Sequence, residues 1–125
     1  MLNLPDAASI IDALRQPLDA ELLTLLEGRL KDAIACNLAD LTHIVVVEPG
    51  DTEDDLVEAL GFSPLVSRMD GSRGQPDYDW KEEHPGFTEL VYTVGDSGFA
   101  FIVFVRIAEG LMPSLLKLCR PARSG

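Results

Sequence analysis

Residues 99–107 read Phe-Ala-Phe-Ile-Val-Phe-Val-Arg-Ile, a run broken by a single charge at Arg106. Side chains alternate between the two faces of a strand. Phe99, Phe101, Val103, Val105 and Ile107 therefore share one face, and Ala100, Ile102 and Phe104 the other. A strand that is apolar on both sides belongs inside a sheet with cover above and below. Phe87 to Val94 precedes it as a second β-rich run, and Gly95-Asp96-Ser97-Gly98 joins the two. A short polar link flanked by glycines is a hairpin turn, because glycine supplies positive φ and Asp and Ser favour turns. The turn accounts for Ser97, so no nucleophile is read there.

A lone hairpin is marginal in water, so further strands have to join it. Ile44-Val45-Val46-Val47 is β-branched throughout and reads as an internal strand. Pro64 to Met69 reads as an edge strand, where an initial proline is tolerated.

The first third of the chain is helical. Ala7, Ile10, Ile11 and Leu14 fall on one helix face, and Pro17 breaks the pattern. Leu18, Leu22, Leu25, Leu26, Leu30, Ala33 and Ile34 continue an apolar stripe in which Arg29 is the one polar member, its stem able to lie along apolar surface. Asn37 is a natural stop. A capping box at Thr52 and Asp55 opens a third helix with Leu56, Val57 and Leu60 inward and Gly61 as its exit. Pro113 to Arg120 reads as a closing helix.

These elements predict one α+β domain over residues 1–125, with an N-terminal αα-hairpin and an antiparallel sheet of three or four strands. Its centre is the hairpin at about 87–107, and the helices pack mainly on one face. Residues 67–86 read as a long irregular loop and 121–125 as a frayed tail.

Charge excludes some functions. The chain has 21 Asp and Glu against 10 Lys and Arg, a formal net charge of −11. That excess repels phosphate backbones and anionic lipid, so direct nucleic-acid or membrane binding is not expected. No run approaches the ~18 apolar residues of a membrane span. The first residues lack the basic and apolar regions of a secretory signal, which predicts a cytoplasmic protein with Cys36 and Cys119 as buried apolar side chains. No glycine-rich phosphate cradle is present, and no cofactor is expected.

Two segments carry candidate chemistry. Asp77-Tyr78-Asp79-Trp80-Lys81-Glu82-Glu83-His84 combines carboxylates with an imidazole. Asp77, Asp79, Glu82 and His84 are the candidate metal ligands, and His84 with Glu83 the candidate acid–base pair. His43, at the mouth of a strand, joins them if the strand ends line one edge. None of the established metal-site spacings is present. The second segment holds Glu48, Asp51, Glu53, Asp54, Asp55 and Glu58, a candidate surface for a basic protein partner. An exposed sheet edge would favour a homodimer. The leading reading is a small acidic, non-catalytic protein acting through protein–protein contacts in a regulatory or accessory role. The alternative is a small enzyme, or a metal- or small-molecule-binding module, built on His43, His84 and the loop carboxylates.

Overall fold

The computed structural model describes residues 1–64, 77–94 and 99–107, with the backbone alone at Asp77 and Trp80. Strand β1 (Leu2–Leu4) leads into helices α1 (Ala7–Leu14) and α2 (Ala20–Ala35). A 3₁₀ turn precedes β2 (Thr42–Val47), followed by α3 (Glu53–Leu60), β3 (Asp77–Glu83), β4 (Phe87–Thr93) and β5 (Ala100–Arg106). The strands form one sheet in the order β1-β2-β5-β4-β3.

The α+β class, the N-terminal helical hairpin and the central β4–β5 pair stand as expected. Among the described residues the sheet is mixed and has five strands, where the sequence predicts an antiparallel sheet of three or four. β2 runs parallel to β5, in register from Thr42 opposite Ala100 to Val47 opposite Val105, and the other pairs are antiparallel. The reason is burial. β2 is buried along its whole length and β5 over Ile102 to Val105, and both lie inside the sheet, side by side. Three strands joined in an antiparallel succession then deliver β5 beside β2 pointing the same way.

Two strands escape a pattern-based reading. β3 falls inside the stretch expected to be a loop because its sequence, Asp-Tyr-Asp-Trp-Lys-Glu-Glu, is charged, and among the described residues it pairs with β4 alone. β1 is three residues long, too short to show a period. Apart from Pro64, the strand expected at 64–69 lies outside the described residues, as do the turn at 95–98, the helix at 113–120, Cys119 and the tail at 121–125.

Cover is divided between the two faces. Ile10 and Ala13 of α1 and Leu22, Leu26 and Leu30 of α2 pack on Ile44, Val46, Phe87, Val91, Ile102 and Phe104. On the opposite face Leu56 and Leu60 of α3, with Phe62, pack on Val45, Val47, Leu90, Tyr92, Val103 and Val105. Local signals agree with these helices: Thr52 and Asp55 form the capping box, Gly61 exits α3 at φ 86°, and Asn37 follows α2 at φ 60°. Cys36 departs from expectation. It is exposed, because α2 ends at Ala35 and its inward stripe stops at Ala33.

Arg106, the one charge in β5, ties three elements together. Its Nε donates to Glu48 Oε1 at 2.6 Å just beyond β2, and its Nη2 donates to Asp19 Oδ1, the N-cap of α2, at 2.7 Å. The guanidinium also lies 4.5 Å from the centre of the Phe87 ring. This hydrogen bond from Arg106 holds the Asp19 carboxyl below its usual value. Arg106→Met keeps the stem and loses the charge, and should destabilise the fold by about 1–2 kcal/mol. An unchanged urea midpoint would show that the clamp carries no stability.

Candidate functional site

The site begins with an unusual residue on β4. Phe87, Glu89 and Val91 alternate onto the face covered by α2, so a carboxylate stands between two core side chains. The Glu89 side chain is 4% exposed. Burying an ionised carboxylate costs several kcal/mol unless it is paired and hydrogen-bonded. Arg29 of α2 meets this demand, with Nε and Nη2 both directed at Glu89 Oε2. The polar residue in the apolar stripe of α2 and the polar residue in β4 thus solve each other's burial.

The second oxygen, Glu89 Oε1, lies 2.8 Å from His84 Nε2. An imidazole facing an ionised carboxylate at that distance carries its proton on Nε2. His84 sits in the turn between β3 and β4, where its N–H donates to Phe87 O at 2.8 Å. The turn is held from two further sides: Gly86 N donates to Glu21 Oε2 of α2 at 3.0 Å, and Ile107 N donates to Gly86 O at 2.9 Å. Helix α2 therefore fixes both the imidazole, through Glu21, and its carboxylate partner, through Arg29.

Glu82 completes the group. It pairs across the β3–β4 ladder with Glu89, which puts the two side chains on the same face, and its Oε2 is 3.7 Å from His84 Nε2. One ligand atom each from Glu82, His84 and Glu89 lies within 4.8 Å of the other two. These residues, with Thr24, Leu25, Gly28, Arg29 and Asp32 of α2, line an open pocket of about 300 Å³.

The other sequence candidates go elsewhere. Glu83 pairs with Thr88, on the opposite face from Glu82 and Glu89. Asp79 is exposed at the bulge between Tyr78 and Trp80, and the Asp77 side chain lies outside the described residues. His43 is on the α3 face, with Nε2 donating to Asn3 Oδ1 at 2.5 Å and its ring 5.3 Å from that of Phe101. The two histidines therefore do not share a site. Half of the acidic segment is occupied internally: Glu48 binds Arg106, Asp51 accepts from Glu48 N and pairs with the terminal amine, and Asp55 caps α3. Arg29 and Glu89 were absent from the sequence candidates, although each is the polar exception in an apolar pattern.

Burial lowers the His43 pKa below 6.5, partly offset by the Asp6 carboxylate. The unfolded chain then binds the proton more readily, so folding stability is fully present above pH ~6.5 and is lost as pH falls through the folded value. His43→Gln should flatten the fall in urea midpoint between pH 7.5 and 5. An equal fall in both proteins would assign the pH dependence to other groups.

At the Arg29–Glu89 pair, Glu89→Ala strips a largely buried guanidinium of this partner and should cost about 2–4 kcal/mol. The double change Arg29→Met with Glu89→Leu should recover most of that loss in denaturant titrations. A double variant as unstable as Glu89→Ala would show that the pair does not act as a unit. No family model, curated protein or solved structure matches the chain.

Proposed function

We propose that this protein is a divalent-metal-binding module with Glu82, His84 and Glu89 as its ligands. The observation that carries the reading is the convergence of one imidazole nitrogen and two carboxylate oxygens within 4.8 Å. A mixed nitrogen and oxygen set suits zinc, manganese, iron or nickel rather than calcium. A zinc ion would replace the proton between His84 and Glu89 and sit about 2.0–2.2 Å from each donor. Glu82 is 54% exposed at the sheet edge, free to swing its carboxylate inward.

Electrostatics support the same reading. Glu82 and Glu89 bring two negative charges to the pocket and Arg29 one positive charge, with the exposed Asp32 at its rim, an excess of negative charge that a divalent cation offsets. Arg29 also fits the role of a partner that orients a ligand, since it holds the Glu89 oxygen turned away from His84. Three protein ligands leave a coordination position open to the pocket, the arrangement of metal sites that bind or activate small molecules.

One observation favours a second reading, docking of a basic protein. Asp54, Asp55 and Glu58 present exposed carboxylates along α3. Asp55 is already engaged in the capping box, so this surface is narrower than the six-residue segment suggested.

Calorimetric titration of chelator-treated protein with zinc should show one saturable site. His84→Ala and Glu82→Gln should each weaken it by tenfold or more, and Glu83→Gln should leave it intact. Zinc at about 100 times its Kd should add about 2.7 kcal/mol to stability. Absence of saturable heat, or equal weakening by Glu83→Gln, would rule the site out.

A further inference from the structure

A second cavity adjoins the first. It has a volume of about 150 Å³ and shares Arg29 and Asp32 with the pocket above. Its remaining walls are mostly apolar, with Ala33 and Leu38 on the helix side and Val91, Ala100 and Ile102 on the sheet side. The two spaces lie side by side along α2, one lined by an imidazole and carboxylates and the other mostly by aliphatic side chains, with Arg29 and Asp32 bordering both. Asp32 is exposed, so its charge faces water at the rim.

We infer that these adjoining spaces together bind a small aromatic monocarboxylate, its carboxylate on the metal and its ring past Arg29 in the mostly apolar space. The inference rests on the metal-site reading, because the ion supplies the coordination position that holds the carboxylate in an otherwise acidic pocket. Three protein ligands leave the ion a position that a carboxylate oxygen can fill. The size of the tail follows from the second cavity: an apolar space of about 150 Å³ is enough to hold a benzene ring. A free phosphate or a dicarboxylate would leave the apolar end empty or bury a second charge there, which is costly.

The test uses the whole chain, first titrated with zinc and then, zinc-loaded, with phenylacetate and with acetate. The two acids share a carboxylate and differ by the ring. Phenylacetate should bind about tenfold tighter than acetate or better, from the apolar surface the ring buries. Ala33→Leu should erase that preference while zinc affinity stays unchanged. Should Ala33→Leu fail to fold, Cys36→Leu, at an exposed position on the same cavity wall, serves in its place. If zinc binds but the two acids bind alike, or if the filled cavity keeps the preference, the ligand inference is overturned and the metal site stands. If zinc itself fails to bind, both fall together.

Discussion

Two strands with no solvated face govern this structure. β2 and β5 bury apolar side chains on both faces, and such strands need cover from above and below. That requirement places α1 and α2 on one face of the sheet and α3 on the other, and it sends the charged strand β3 to the edge. The layers close over the centre of the sheet, and α2 continues out over β4. There the floor changes from aliphatic to polar, and the candidate site occupies that change.

Within the site, Glu89 is the residue that stability alone would not select. An aliphatic side chain between Phe87 and Val91 would extend the core, and replacing a buried ion pair with apolar groups of similar volume is often neutral or favourable. The carboxylate is instead held rigidly by Arg29 on one oxygen and presented to His84 by the other. Ligand geometry requires this kind of support, because a metal or substrate group is bound well only when its first contacts are locked by a second layer. Gly28 contributes in the same direction. A glycine within a helix costs about 0.5–1 kcal/mol relative to alanine, and here it leaves open space on the pocket wall.

The negative charge of the chain has more than one destination. Glu48 and Asp19 anchor Arg106, Asp51 and Asp55 serve backbone caps and the terminal amine, and Glu21 holds the turn before β4. Carboxylates adjacent in sequence are therefore not one functional surface. A formal charge of −11 describes solubility and long-range repulsion, while each site has to be read from its own partners. No helix among the described residues is long and apolar enough to cross a membrane.

Local patterns in the sequence determined the three described helices, the capping box and exit of α3, the stop after α2 and the two central strands. These depend on neighbours three or four residues away, or on alternation along one strand, so the chain itself carries the information. His84 and Glu82 were legible as members of one polar cluster for the same reason, through their closeness to other polar groups. The parallel pairing of β2 with β5 was not legible, since pairing direction depends on how the intervening chain travels. Nor was the role of Glu89, which looked like an interruption in a strand, or of Arg29, which looked like a snorkelling side chain. Each becomes meaningful only when the other, 60 positions away, arrives opposite it. Burial turns two unfavourable polar residues into one compensated pair, and burial is a property the tertiary structure alone decides.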